Sequence, residues 1–170
     1  MKKLICLVGM CGAGKSVVSD VLVEKGYQYL RFGQITIEII REKGLEINEE
    51  NEKKVREGLR AEHGMGAYAL LNLPKMEKLL KKGNVVADGL YSWTEYKILK
   101  KHFKDKMTVI AVVAPPSLRY ERLVNRPLDA TGKNRPLSRE QAQARDYAEI
   151  ENIEKAGPIA MADVYLLNTG

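Results

Sequence analysis

Short runs of apolar residues alternate with longer segments in which apolar positions recur every three or four residues. That alternation is the mark of strands and helices wound into a parallel α/β sheet. Residues 3–8, containing Leu4-Ile5-Cys6-Leu7-Val8, form the first apolar run, and helical spacing follows over 15–25 until Gly26 closes it. Tyr27 to Leu30 reads as a short second strand and Gly33 to Lys43 as a helix ending at Gly44. Residues 48–63 predict a strongly charged helix capped by Asn48, with Glu49, Glu50 and Glu52 in its first turns, where the helix dipole favours acids. Glu49/Lys53, Glu50/Lys54 and Glu52/Arg56 are spaced to pair along it. After Gly64-Met65-Gly66 the helical pattern resumes to Lys82. Pro74 is expected to kink or restart that helix, because an interior proline costs about 3 kcal/mol.

Asn84 to Asp88 predicts a third strand, and Ser92-Trp93-Thr94-Glu95 a capping box that opens a helix to about His102. Met107 to Ala114 is apolar almost throughout, which suits the centre of a parallel sheet. Pro116 opens a helix to about Arg126, and residues 127–137 have loop composition throughout. Ser138-Arg139-Glu140-Gln141 caps a long polar helix to about Ala156, and Asp163 to Leu167 is the last strand. With no internal repeat and no second core, the 170 residues predict one domain. Residues 34–82 form a helical insert on its sheet and 127–137 a lid segment.

Composition narrows the class. A chain 45% hydrophobic with mixed charge can build a full core, and no apolar run nears the ~20 residues of a membrane span. Met1-Lys2-Lys3 precedes a strand rather than a signal peptide, and Cys6 and Cys11 read as free thiols, so a reducing cytoplasm is expected. The net charge of +6 suits a protein that grips polyanionic nucleotides. The lysines at 78, 81, 82, 97, 100, 101, 104 and 106 have no interleaved aromatic platform and read as solvated helix faces, so nucleic acid is not an expected partner.

The first strand runs into Gly9-Met10-Cys11-Gly12-Ala13-Gly14-Lys15-Ser16, which has the spacing of a P-loop. Small residues let successive backbone N–H groups curl around phosphate oxygens, and the helix that follows aims its positive end at the same anion. Gly9, Cys11, Gly12, Ala13, Gly14, Lys15, Ser16 and Val17 are thus the candidate nucleotide cradle. Lys15 would reach the β- and γ-phosphates and the Ser16 hydroxyl would ligate Mg²⁺.

Two further groups extend this chemistry. Asp88 ends a buried strand at the sheet edge where ligands bind, placed to hold Mg²⁺ with Ser16 or to take a proton from an acceptor hydroxyl. Arg122 and Arg126 lead into the 127–137 loop, Arg135 and Arg139 stand where the chain leaves it, and Arg145 follows on the next helix. Phosphoryl transfer needs positive groups around the moving phosphoryl and water shut out, and an arginine-flanked loop can supply both. His63 and His102 have no Cys or His at ligand spacing, so no zinc site is expected.

Together these residues resemble the nucleoside-monophosphate kinase and dephospho-CoA kinase group of P-loop phosphotransferases. From Ala114 onward the likeness is to dephospho-CoA kinase, in Ala114-Pro115-Pro116 with Glu121-Arg122-Leu123, in Arg135-Pro136-Leu137-Ser138-Arg139-Glu140-Gln141 through Arg145, and in Ala162-Asp163-Val164-Tyr165 with Asn168-Thr169-Gly170. Asp88-Gly89 and Arg41-Glu42-Lys43-Gly44-Leu45 look more like adenylate-kinase-related proteins. The resemblance implies a three-layer P-loop NTPase fold whose five-stranded parallel sheet has the order 2-3-1-4-5. It implies that Arg122 lies over the adenine, Asn168 borders the adenine pocket, and Arg126 and Arg145 stand near the transferring phosphate. The acceptor patterns are incomplete: Leu30-Arg31-Phe32-Gly33 lacks the acids of dephospho-CoA kinases, and Gln34, Ile37 and Tyr91 stand where adenylate-type kinases carry an Asp and two arginines. Arg31, Arg41 and Arg60, with His63, are the candidates to rebuild an acceptor site.

The expectation is an ATP- and Mg²⁺-dependent kinase, monomeric or homodimeric, acting on a small nucleotide-like acceptor of the dephospho-CoA or nucleoside monophosphate type. The catalytic candidates are Lys15, Asp88, Arg126 and Arg145. The alternative is a nucleotide-binding switch or ATPase with no small-molecule acceptor. A nucleic-acid end kinase rests on net charge alone.

Overall fold

A computed structural model describes residues 2–127 and 136–170. Five strands, β1 (Leu4–Val8), β2 (Gln28–Arg31), β3 (Val85–Asp88), β4 (Met107–Val113) and β5 (Val164–Leu167), form one sheet in the order β2-β3-β1-β4-β5. Every pairing is parallel. Helices α1 (Lys15–Glu24), α2 (Gln34–Glu42), α3 (Glu49–His63), α4 (Ala67–Lys82), α5 (Trp93–Phe103), α6 (Pro116–Val124), α7 (Arg139–Glu151) and α8 (Ala156–Ala160) surround it.

The sheet is buried on both faces because its central strands are apolar at nearly every position, Thr108 of β4 and the terminal Asp88 of β3 being the exceptions. Leu4, Cys6, Val8, Val85, Ala87, Val109 and Ala111 point to one side, where Tyr68, Met76, Leu99 and Phe103 cover them. Ile5, Leu7 and Val86 face the other side and pack on Val18 and Leu22 of α1. The register then sets the site: Leu7 pairs with Asp88 and Asp88 with Arg31, so all three stand at the carboxyl edge of the sheet beside the loop after β1.

Caps read from the sequence account for several helix starts. Ser92 and Ser138 each close a full capping box with Glu95 and Gln141, and Asn48 accepts the Asn51 N–H at 2.9 Å. Other expectations change. Pro74 neither ends nor restarts α4, which runs unbroken through it. Both Pro74 and Leu70, whose carbonyl loses its helical partner, are exposed, so water can take that bond. Glu49 pairs with Arg56 at 2.6 Å, one turn beyond its expected partner, while Lys53 turns to Glu57 at 3.8 Å. The helix predicted to reach Ala156 stops at Glu151, and Glu154 then takes a left-handed φ of 54° that turns Lys155 inward. The short α8 that follows docks by close approach: a Cβ on Gly157 would lie 3.0 Å from the Trp93 ring. Of the predicted lid segment only residues 127, 136 and 137 are among those described, and Arg135 lies outside them. Among the described residues no helix is long and apolar enough to cross a membrane.

Candidate active site

The loop from Gly9 to Gly14 is built where side chains cannot go. Gly14 has φ +96°, and a Cβ there would stand 2.2 Å from Asn168 Nδ2; a Cβ on Gly9 would stand 2.3 Å from the Val112 carbonyl. Lys15 folds back over the loop, its ammonium donating to the carbonyls of Gly9 at 2.9 Å and Met10 at 3.2 Å. Burial, reinforced by the charge of Lys155 and opposed by Asp88, Cys11 and Glu149, lowers its pKa to about 8. At the start of α1 Ser16 and Val17 are exposed, and Ser19 donates to the Ser16 carbonyl at 2.8 Å.

The α6–α7 pair is clamped to this loop. Arg119 Nη1 donates to the Cys11 carbonyl at 3.1 Å, and its guanidinium makes two bonds to the Asp146 carboxylate at 2.9 and 2.6 Å. The Tyr120 hydroxyl adds a third donor to Asp146 at 3.0 Å. One turn later Arg122 reaches the carbonyls of Gly12 (3.4 Å), Asn168 (3.1 Å) and Gly170 (2.8 Å). Asn168 in turn donates to the Ala13 carbonyl at 2.9 Å. Arg122 and Asn168 therefore meet on the outer flank of the cradle.

On the inner flank, Asp88 accepts from the Tyr29 hydroxyl through Oδ2 at 3.3 Å. Its Oδ1 is buried with no hydrogen-bond partner among the described residues. A buried carboxylate oxygen left unsatisfied within the field of the Lys15 charge suits a hard cation that takes oxygen ligands. Asp88, and the exposed Ser16 hydroxyl at the start of α1, are the residues that could hold Mg²⁺.

Beyond Asp88 opens a cleft of about 820 Å³ between the sheet edge, the α2–α4 insert and α7, lined by Arg31, Arg56, Arg60, Arg126 and Arg145 among others. Glu49, Glu52, Glu57 and Glu149 also line it, with Arg56 paired to Glu49 and Glu52 and Arg145 to Glu149. Its aromatic wall is Tyr68 and Tyr91, ring centroids 6.0 Å apart. The Tyr68 hydroxyl is fixed by Thr36 at 2.6 Å, and the Arg60 guanidinium lies 5.7 Å from the Tyr68 ring with its Nε buried and without a hydrogen-bond partner among the described residues. Arg145 donates through Nε to Glu149 at 3.2 Å, and the same carboxylate takes Lys155 at 2.6 Å. Glu95 lies fully buried near Arg60 and Lys155, and burial raises its pKa to about 7 although Tyr91 and Ser92 each donate an N–H to Oε2 at 3.0 Å.

The structure thus gathers Lys15, Ser16, Asp88, Arg122 and Asn168 around the loop, and Arg31, Arg60, Arg126 and Arg145 around the cleft. Arg41 is a correction to the acceptor set. It sits exposed in the last turn of α2, because the inward face of that helix carries Thr36, Ile37 and Ile40. Sequence reasoning did not single out Arg119, Asp146, Glu149 or Lys155. Ala142, Asp146 and Glu149 recur at helical spacing on the buried face of α7, and acids at core positions were the available signal.

Residues 5–152 match the family described as AAA domain. The chain is 36% identical over 170 residues to a UPF0200 protein of Thermococcus gammatolerans, covering 98% of this chain and 86% of that one. A solved structure from Thermus thermophilus superposes with TM-score 0.64 at 20% identity over 99% of this chain and 90% of its own. Shikimate kinase from Acinetobacter baumannii, in complex with shikimate, superposes with TM-score 0.57 at 21% identity over 100% and 86%. At such identities the structural likeness establishes the P-loop kinase fold. The sequence matches go further: the chain belongs to the AAA-domain family of P-loop proteins and to the UPF0200 proteins.

Proposed function

We propose that the protein is an ATP- and Mg²⁺-dependent phosphotransferase that moves the γ-phosphoryl group to a small, anionic, nucleotide-like acceptor. The observation that carries this reading is the cleft of about 820 Å³ that gathers five arginines and includes Arg31, the register partner of Asp88, and Glu149, whose charge acts on Lys15. A nucleotide-binding switch has no need of a second cleft into which five arginines and Lys53 are gathered, although Glu49, Glu52, Glu57 and Glu149 also line it. The motifs shared with dephospho-CoA kinases and adenylate-kinase-related proteins leave both acceptor types open.

The backbone N–H groups of the loop bind the polyphosphate, and Lys15 leaves the Gly9 and Met10 carbonyls for its oxygens. Ser16 and Asp88 would hold Mg²⁺, which when bound would supply charge neutralisation on the phosphates. Arg122 and Asn168 border the nucleoside end. Arg31 and Arg60 hold the acceptor's anionic group in the cleft, and Arg126 and Arg145 stabilise charge on the transferring phosphoryl. Where the acceptor atom is a hydroxyl and Asp88 does not hold the metal, the Asp88 carboxylate is the group to take the proton.

The test is Lys15→Ala beside Asp88→Asn. Both variants should fold, and Lys15→Ala should lose nucleotide affinity and turnover. Asp88→Asn should keep nucleotide binding and lose turnover by about 100-fold or more, the scale of a lost transition-state contact. Phosphorylation of an acceptor by Lys15→Ala at the wild-type rate would overturn the mechanism.

A further inference from the structure

Lys155 is 3% exposed and stands where no local rule would put a lysine, just after the left-handed turn at Glu154. Its ammonium bonds the buried Glu149 carboxylate at 2.6 Å and lies 5.4 Å from the Tyr91 ring in the cleft wall. Its backbone N–H also donates to the Glu149 carbonyl at 3.1 Å. Glu149 is thereby held from below, and its other oxygen takes Arg145 Nε at 3.2 Å. Arg145 is bound only along its Nε edge, so its two Nη groups carry no hydrogen bond to another described residue. A carboxylate bound to Arg145 alone would cancel the charge the arginine offers a phosphate. Shared with Lys155, it leaves the cluster a net positive charge.

We propose that Glu149 and Lys155 are a positioning pair for phosphoryl transfer, fixing Arg145 by its Nε so that its Nη fork faces the transferring phosphoryl group. The proposal rests on the phosphotransferase reading, but it concerns how the site binds the reacting phosphoryl and needs no acceptor to be known. Lys155 touches no reacting atom; it acts through Glu149. Mispositioning of an arginine by a fraction of a turn is costly because the fork must match the phosphoryl oxygens.

The experiment measures binding of ADP and of ADP with aluminium fluoride, a mimic of the transferring phosphoryl, to the full chain with Mg²⁺ present. Wild type should bind the fluoride complex far more tightly than ADP alone. Lys155→Met should reduce that preference about tenfold or more, with ADP affinity held within about twofold. Lys155→Arg, which keeps a cation on Glu149, should restore most of the preference. Because Lys155→Met leaves a buried carboxylate with one partner fewer, Lys155→Met/Glu149→Gln is the second variant. It removes the unbalanced charge, should fold, and should also lose the preference. An unchanged preference in both variants, or equal losses for ADP and its fluoride complex, overturns the proposal. A wild type that binds the fluoride complex no better than ADP contradicts it too. Failure of every acceptor to stimulate turnover in a wild type with intact fluoride preference would instead count against the function proposed above and leave the positioning pair standing.

Discussion

Three charged side chains decide the behaviour of the site. Lys15 has its pKa lowered to about 8, chiefly by burial and then by Lys155, while Asp88, Cys11 and Glu149 oppose the shift. Only the charged form attracts phosphate, so nucleotide affinity should hold below about pH 8 and fall as pH rises through that value. Binding above it should be accompanied by proton uptake, measurable by titration calorimetry in buffers of different ionisation enthalpy. Lys155→Met should move the alkaline limb upward. Arg119 acts on structure: its pair with Asp146 is only 5% exposed on each side. Arg119→Ala strands a buried carboxylate and should cost about 3–5 kcal/mol in urea unfolding. It should also weaken nucleotide binding, since the Cys11 carbonyl loses its donor. Neither arginine role has a local signature, because its partners lie 27 and 108 positions away.

The elements that were legible are those specified by neighbours in the chain. The loop after β1, the capping boxes of α5 and α7 and the Asn48 cap follow from adjacent residues, and all stand where their motifs put them. The end of α7 was not legible, because the turn that stops it uses Glu154 rather than a glycine, and its purpose is the long-range seat of Lys155. The capping box of α5 carries a consequence for pH. Glu95 has its carboxyl pKa raised from 4.5 to about 7 by burial, so the folded state binds its proton more tightly than the unfolded chain. Its favourable contribution is therefore complete below about pH 4.5 and lost as pH rises towards 7. Glu95→Gln can keep an oxygen for the Ser92 N–H while avoiding the charge. Denaturant titrations should show the stability of the variant relative to wild type increasing between pH 5 and 8. In the loop, Gly14→Ala forces a Cβ against Asn168 at a φ of +96° and should abolish nucleotide binding while the sheet stays folded.

At the scale of the whole molecule, strand order brings the loop after β1, Asp88 after β3 and Arg31 at the end of β2 to one edge, and the helical insert closes a cleft over them. The donor half of this arrangement could be read from eight consecutive residues. The cleft proposed for the acceptor was legible only in part: Arg31, Arg60 and Arg145 were candidates by charge and resemblance, but their meeting with Tyr68 and Tyr91 joins five separate stretches that only the fold assembles. Arg41 shows the limit of a charge read without its helix face. The central claim is that the cleft receives an acceptor for the γ-phosphoryl group. Its most direct test is ADP production at saturating MgATP across a panel of nucleoside monophosphates, nucleosides and dephospho-CoA, with the phosphorylated product identified by mass. The account predicts that one class of anionic acceptor raises turnover well above the rate without acceptor, and that Arg60→Ala raises the KM for that acceptor while the KM for ATP stays unchanged. Slow hydrolysis indifferent to every acceptor would contradict it.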